Sequence, residues 1–184
     1  MASTDTHVRA LIGGVIAMAV IVAASNYLVQ FAINDWITWA AFTYPISFLV
    51  TDLCNRTIGP RQARRVVFVG FALAVILSIW LATPRIAIAS GSAFLAAQIL
   101  DISIFNHFRN AQRWWLAPLA SSSIASALDT ILFFSIAFAG TQVPWLTLAA
   151  GDYAVKLSMA LVMLVPFGFA IRSRRFSEIK IEPT

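Results

Sequence analysis

Charged residues are scarce in this sequence: 11% of its 184 residues are charged, whereas 60% are hydrophobic. The single cysteine, Cys54, excludes an internal disulfide and a cysteine-based metal cluster. Only two histidines are present, His7 and His107, and the chain has no HExxH, GxSxG or aspartate-rich phosphotransfer motif. We therefore expect neither an enzyme nor a bound metal or cofactor.

The hydrophobic residues fall into six runs, each close to the ~20 residues that a membrane-spanning helix needs. The runs cover residues 10–33, 37–54, 64–83, 86–107, 115–139 and 146–171. The sequence thus predicts an all-α integral membrane protein, with six transmembrane helices in a compact bundle. We expect one domain over residues 1–184, with a short N-terminal tail (1–9) and a polar C-terminal tail (173–184).

The tryptophans and the basic residues support these spans and orient them. All six tryptophans lie at or near the ends of the predicted spans, as in the aromatic belts of membrane interfaces. Of the 13 basic residues, 11 fall on one side of the membrane, Arg85 falls on the other and Lys156 lies within a span. The positive-inside rule then places both termini in the cytoplasm. The net charge of +5 reflects this topology, and we expect no nucleic-acid partner.

Apart from Arg64 and Arg65 at the very start of the third span, five charged residues fall inside the predicted spans: Asp52, Asp101, Asp129, Asp152 and Lys156. A carboxylate in the hydrocarbon core costs roughly 2.5–3.5 kcal/mol unless it faces a polar interior. So many charges in a short chain predict a path for a solute or an ion through the bundle.

The intramembrane polar residues divide by depth into two sets. The set in the middle and outer half predicts a central solute site, and it comprises Asn26, Gln30, Gln98, Asp129, Asp152 and Lys156. The set near the cytoplasm suits a gate, and it comprises Asp52, Asn55, Asp101, Asn106 and Arg109.

Spacing predicts several local contacts in the first four spans. Asn26 and Gln30 are expected on one face of the first helix, and Pro45 is expected to kink or break the second. Asp52, near the end of that helix, is expected to pair with an arginine of the next loop, such as Arg56. Asp101 lies within reach of Asn106 and Arg109. Ala89, Ala93 and Ala97 form a seam that packs either within one chain or across a homodimer.

The last two spans carry the deepest charges. Ser122, Ser126 and Asp129 are expected on one face of the fifth helix. Asp152 and Lys156 are four residues apart, in the order that favours an intrahelical ion pair. Lys156 either only neutralises Asp152 or bridges to Asp129, where a substrate competes for one partner.

Several strings taken together resemble the queuosine precursor transporter family, also called the vitamin uptake transporter family. They are SNYLVQ, TWAAFTYPISFLVTDL, QILDISIFNHFR, RWWLAPLASS with ALDT, and GDYAVK, and the resemblance runs from Ser25 to about Pro166. It implies a bacterial inner-membrane importer of 7-cyano- and 7-aminomethyl-7-deazaguanine. It also implies a fold like the six-helix substrate-binding subunits of energy-coupling-factor transporters. The positions that match the polar motifs of the family are Asn26, Gln30, Asp52, Gln98, Asp101, Asn106, Asp129, Asp152 and Lys156.

A deazaguanine suits these residues chemically. Its guanine-like edge offers two parallel donors, which match one carboxylate, and its flat face stacks on aromatic rings. Asp129 with Gln98, Asn26 and Lys156 supplies the polar groups, and Tyr44, Phe48 or Phe94 the ring. The predicted substrate-binding set is Asn26, Gln30, Tyr44, Phe48, Gln98, Asp129, Asp152 and Lys156. The predicted gating or proton-coupling set is Asp52, Asp101, Asn106 and Arg109, and Asp129 is a further candidate proton carrier.

Two other functions remain open from the sequence. The chain could be a binding subunit for another nucleobase or vitamin that works only with an ATP-driven module. It could also be a structural scaffold, although a scaffold has no need of a mid-membrane aspartate such as Asp129.

Overall fold

A computed structural model describes residues 2–78 and 83–172, which are helical apart from short connections and one antiparallel bridge between Ala32 and Thr38. The prediction of an all-α membrane bundle is confirmed, and four helices (α1 from His7, α5, α6 and α7) are long and apolar enough to cross a membrane. In chain order the helices are α1 (Ala2–Leu28), α2 (Ala40–Thr43), α3 (Ile46–Ile58), α4 (Pro60–Ser78), α5 (Pro84–Phe108), α6 (Leu116–Phe138) and α7 (Trp145–Arg172).

The predicted and observed bounds agree best in the second half of the chain. The helices α5, α6 and α7 begin and end within two residues of the predicted spans. The first helix differs, because it includes residues 2–9 of the predicted tail and ends at Leu28. Gln30 therefore lies beyond α1, and the expectation that it shares a helical face with Asn26 is wrong. Trp80 and the predicted tail at 173–184 lie outside the described residues.

The second predicted span is broken at Tyr44–Pro45 into α2 and α3, as the proline predicted. Proline cannot donate a backbone hydrogen bond, and its ring clashes with the preceding turn of a helix. Beyond the break, α3 continues four residues past the predicted end, to Ile58. Gly59 then ends it with φ of 85°, a conformation that residues with a Cβ rarely adopt.

The short helix α3 is the central element of the bundle. It contacts α1, α2, α4, α5, α6 and α7, and all of its polar residues except Arg56 are buried. Around it, α5 packs along α6, α6 along α7, and α1 along α4. This arrangement brings the polar side chains of α3, α5, α6 and α7 together in the interior.

The alanine seam of α5 packs within the chain. Ala89, Ala93 and Ala97 are all fully buried, so they offer no surface to a second copy. Homodimer formation stays a prediction that the seam does not support.

The helices α1 and α4 meet at two glycines. A Cβ on Gly70 of α4 would lie 2.7 Å from the Cβ of Met18, and one on Gly14 of α1 would lie 3.2 Å from the Cγ2 of Val66 in α4. The opposite face of α4 exposes apolar side chains, which suits contact with lipid: Phe68, Val69, Leu73, Val75 and Ile76.

Substitution of Gly70 by alanine should therefore lower stability, because the two helices must separate to admit the methyl group. We expect a loss of about 1–3 kcal/mol, as for other overpacked interiors, measured as a lower unfolding temperature of the purified protein in detergent. Gly13→Ala is the matched control, since a Cβ there meets nothing within 4 Å. Equal unfolding temperatures for the two variants would contradict the close α1–α4 contact.

Candidate functional site

The polar site lies where α6 and α7 meet, and the ammonium group of Lys156 is at its centre. Its Nζ donates to Asp129 Oδ2 at 2.7 Å and to Asp152 Oδ2 at 2.5 Å. A third bond, of 3.1 Å, goes to Thr130 Oγ1. These acceptors use all three protons of the ammonium group. Both pairings that the sequence left open for Lys156 are therefore present at once.

Two hydroxyl groups hold the carboxylates in place. The Tyr44 hydroxyl donates to Asp129 Oδ1 at 2.8 Å, and the Thr130 hydroxyl donates to Asp152 Oδ2 at 2.9 Å. The Lys156 ammonium also lies 5.1 Å from the centre of the Tyr44 ring, which allows a cation–π attraction. Tyr44 reaches Asp129 from the break between α2 and α3, so Pro45 helps to build the site.

A small cavity adjoins this network, and five of the eight predicted substrate-binding residues line it. They are Asn26, Tyr44, Asp129, Asp152 and Lys156, and the remaining lining residues are Ser25, Val29, Ala40, Ser90, Phe133 and Phe134. The volume of the cavity is about 30 Å³. One water needs roughly 10–15 Å³ on this measure, so the cavity holds two or three waters and is too small for a bicyclic base. The described form is thus closed around its site.

Four contributors to this region were missed from the sequence. The Ser90 hydroxyl donates to Asn26 Oδ1 at 2.5 Å, and Thr130 links Asp152 to Lys156. Phe133 and Phe134 supply the aromatic wall. Helical spacing could have found Phe133, which lies one turn beyond Asp129 on α6, whereas Ser90 was hidden among the small residues of the α5 seam.

The other three predicted substrate-binding residues do not line this cavity. Gln98 is fully buried and bonds to α3, since Thr51 Oγ1 donates to its Oε1 at 2.6 Å and its Nε2 donates to Ser47 Oγ at 3.1 Å. Phe48 is also buried, with its ring edge-on to Tyr44. Gln30 is exposed in the loop after α1, where its side-chain amide donates to backbone carbonyls of that helix.

The loop of residues 29–39 covers one side of the cavity. Val29, its first residue, and Ala40, the residue that follows it, line the cavity. Within the loop, Asn34 Oδ1 stabilises a turn by accepting hydrogen bonds from the backbone amides of Trp36 and Ile37. The loop rests on α7 at Gly151, where a Cβ would lie 2.1 Å from the Trp36 carbonyl oxygen. Only glycine fits there, one residue before Asp152.

A second, smaller cavity lies on the other side of Lys156. It is lined by Lys156 together with Asp52, Ser122 and Ser126. The two serines of the predicted α6 stripe thus share this cavity, whereas its third member, Asp129, lines the first one. Its volume is about 10 Å³, which is roughly the space that one water molecule needs. Lys156 therefore lies between two cavities. We name the first, on the side of the 29–39 loop, the outer cavity, and the second the inner cavity.

Asp52 lines the inner cavity and does not pair with an arginine, contrary to expectation. Its carboxylate accepts from Ser121 and Ser122 at 3.3 Å each, and the residue is 2% exposed. The expectation failed because α3 continues to Ile58, which places Asp52 well inside the helix. Arg56 instead donates to the Arg109 carbonyl at 3.3 Å.

Asp101 is fully buried, and neither of its carboxylate oxygens has a hydrogen-bond partner among the described residues. Its polar neighbours are Asp52 and Ser121. The expected contacts with Asn106 and Arg109 are absent there. Arg109 instead donates to the Asn106 side chain at 3.2 Å and to both the carbonyl and the side-chain oxygen of Asn55.

Aromatic rings close the bundle beyond the inner cavity. Phe167 of α7 lies 6.1 Å from Phe105 and is stacked on Trp114 at 6.4 Å, measured between ring centres. Phe167 also lines the inner cavity, and Pro166 interrupts the hydrogen bonding of α7 beside it. Phe167 therefore links the lining of the inner cavity to the rings of Phe105 and Trp114.

Comparison with known proteins decides the family. Residues 38–171 match the model of the family described as "Putative vitamin uptake transporter". The chain belongs to this family. It is a multi-pass membrane protein of a transporter family, and no solved structure matches it.

Curated relatives cover most of the chain. A protein of Escherichia coli named "Queuosine precursor transporter" is 36% identical over 174 residues, which is 79% of this chain and 79% of the relative. A "Probable queuosine precursor transporter" of Haemophilus influenzae is 35% identical over 186 residues, with the same coverage. One of Bacillus subtilis is 26% identical over 158 residues, 70% of this chain and 69% of the relative.

Removal of the Lys156 ammonium should destabilise this member of the family strongly. Lys156→Met leaves two buried carboxylates without a cation, and we expect a loss of about 3–5 kcal/mol. The triple variant Asp129→Asn/Asp152→Asn/Lys156→Met, which removes all three charges, should recover part of that loss.

Thermal unfolding in detergent measures both effects. Ser158→Ala is the control, because Ser158 is exposed on the same helix and bonds only to the Ala154 carbonyl. A single Lys156→Met variant as stable as the wild type would show that Lys156 does not neutralise the site.

Proposed function

We propose that this chain imports one or both queuosine precursors, 7-cyano-7-deazaguanine and 7-aminomethyl-7-deazaguanine, across the bacterial inner membrane. One observation carries the proposal. A chain 36% identical to a protein named queuosine precursor transporter encloses a buried, charged cavity between its helices, where a polar planar base would be held.

The polar groups of the outer cavity suit the edge of a guanine-like base. Asp129 offers a carboxylate for the ring N–H and the exocyclic amine, which are parallel donors. Lys156 and Asn26 supply donors for the ring carbonyl oxygen. Phe133, Phe134 and Tyr44 supply aromatic surface for the flat faces of the base.

The closed network accounts for selectivity on physical grounds. Asp129 and Lys156 satisfy each other until a base arrives, and separating a buried pair without replacing the partner costs about 3–5 kcal/mol. Only a ligand that supplies both donors and an acceptor repays this cost. A base that lacks one of these groups leaves a buried charge unpaired and is rejected.

The ends of the bundle support an orientation with both termini in the cytoplasm. Contacts join Arg56 to Arg109, and Arg172 lies 5.8 Å from the Trp114 ring, so these basic positions share one end. Arg85 is at the other end, where it donates to the carbonyls of Ile136 in α6 and of Ala139 directly after it. The arginine-rich end faces the cytoplasm under the positive-inside rule.

Uptake complementation tests the function. The chain is expressed in a bacterium that cannot make 7-deazaguanines, has no importer for them and has no energy-coupling-factor module. We expect queuosine to reappear in its tRNA when either precursor is supplied at low concentration.

The negative outcome is equally informative. If the protein is present in the membrane and no queuosine forms, the proposed substrate or the independence from an ATP-driven module is wrong. Co-expression with such a module then separates these two explanations.

Binding measurements test the role of Asp129. Asp129→Asn replaces a charged acceptor by an amide that presents a donor to the donors of the base. We expect Kd for 7-cyano-7-deazaguanine to rise about 10- to 100-fold, the equivalent of one charge-assisted hydrogen bond, measured by calorimetric titration of the purified protein.

Two further variants sharpen the result. Ser135→Ala, at a half-buried position of the same helix that does not line the cavity, should leave Kd unchanged. Gln98→Ala tests the remaining prediction that Gln98 binds the base, although it lies outside the cavity lining. An Asp129→Asn protein with wild-type affinity would remove Asp129 from the site.

A further inference from the structure

The carboxyl groups of Asp52 and Asp101 form a buried pair that the substrate site does not use. Asp52 is 2% exposed and Asp101 is 0% exposed, and the two interact across the contact between α3 and α5. Neither belongs to the lining of the outer cavity. Their place in the fold therefore needs an explanation of its own.

Charge balance separates this pair from the site of Lys156. Asp129 and Asp152 have an ammonium group within 2.7 Å, whereas neither Asp52 nor Asp101 forms an ion pair within the described part of the chain. Two carboxylates in one buried place cannot both be ionised without a cation, so they hold a proton between them.

The hydroxyl groups around the pair indicate where that proton lies. Ser121 and Ser122 both donate to Asp52, which suits an ionised carboxylate. Both oxygens of Asp101 lack a hydrogen-bond partner among the described residues, and an ionised carboxylate in that state would bear the full cost of burial. The nearest polar neighbours of Asp101 are Asp52 and Ser121, so the single proton of the pair is shared between the two carboxyl groups.

The charged groups of the surrounding helices leave this assignment intact. From α7, Lys156 meets Asp52 only across the inner cavity and is bound to Asp129 and Asp152. On α5, Arg109 is bound to Asn55. The basic residues of α1 and α4 that precede the membrane interior are exposed: Arg9, Arg61, Arg64 and Arg65. The helices α2 and α6 bring no charged side chain to the pair.

The inner cavity joins the pair to the substrate site, because Asp52 and Lys156 both line it. The charge of the pair can therefore act on the Lys156 ammonium group, which lies between the two cavities. When the pair loses its proton, its second negative charge attracts the Lys156 ammonium away from Asp129 and Asp152.

We propose that Asp52 and Asp101 together carry one proton that is exchanged in each transport cycle, so that the proton gradient drives accumulation of the substrate. An O–H bond forms on a carboxylate when a hydronium ion from the outer side transfers its proton and leaves water. The bond breaks when that proton passes to water on the cytoplasmic side and forms hydronium there. The proposal rests on the transport function proposed above.

Infrared spectroscopy tests the proton without any substrate. In an ester-free detergent at neutral pH, the wild type should show the carbonyl band of a protonated carboxylic acid, and Asp101→Asn should lack it. Asp35→Asn, an identical change in the exposed outer loop, should keep the band. Spectra that are identical in the wild type and Asp101→Asn would overturn the proposal, whether or not the protein transports a deazaguanine.

Proteoliposomes test the coupling. The probe is 7-cyano-7-deazaguanine, because the aminomethyl base is an amine that a pH gradient concentrates by itself. With an alkaline interior, the wild type should accumulate the base by up to about tenfold per pH unit for one proton per substrate. Asp101→Asn, which resembles the protonated state, should lose accumulation and keep exchange of the base between equal concentrations.

The outcomes separate this proposal from the transport function. Exchange by the wild type with accumulation that ignores pH, or that follows sodium instead, would leave the function standing and overturn the proton site. Absence of exchange would count against the substrate, and the infrared result would still decide the proton. Asp52→Asn serves as a second variant with the same expected loss of accumulation, should Asp101→Asn fail to fold.

Discussion

The buried bonds between Lys156 and the two carboxylates of Asp129 and Asp152 are the constraint on which the rest of the structure depends. One cation in the membrane interior requires acceptors for all of its protons, and Thr130 completes that set. Tyr44 can reach Asp129 only because Pro45 breaks the second span. The short α3 begins directly after this break and occupies the centre of the bundle.

Two polar layers result, one on each side of Lys156. The outer layer faces a closed, water-sized cavity with aromatic walls. The inner layer contains the paired carboxylates of Asp52 and Asp101 and ends at the Phe167 ring. A transporter must never open both sides together, and in this arrangement a single side chain is shared by the two cavities. If the Lys156 ammonium moves toward one cavity, the other cavity loses part of its positive charge.

The candidate site was predictable from sequence because charged residues are scarce in the apolar spans. An ionisable residue in an apolar span is costly, and this alone identified Asp129, Asp152 and Lys156. Contacts between helices were less predictable, because hydropathy gives depth and not direction. Asp52 seemed to lie near an arginine-rich surface, yet α3 runs on to Ile58 and buries it against Ser121 and Ser122. Ser90 and Thr130 gave no signal, since small hydroxyl residues are common in membrane helices and only their neighbours reveal their role.

The loop of residues 29–39 rests on α7 at Gly151, so the size of the side chain at position 151 determines how closely the loop can pack on α7. The Trp36 carbonyl leaves no room for even a methyl group at Gly151, so each larger side chain there holds the loop farther from α7. Alanine, valine and leucine form a graded series of spacers that alters no polar group of the site. Substitutions at position 151 can therefore alter the opening of the cavity without altering the groups that bind a ligand. Mutations within the charged network change both properties together.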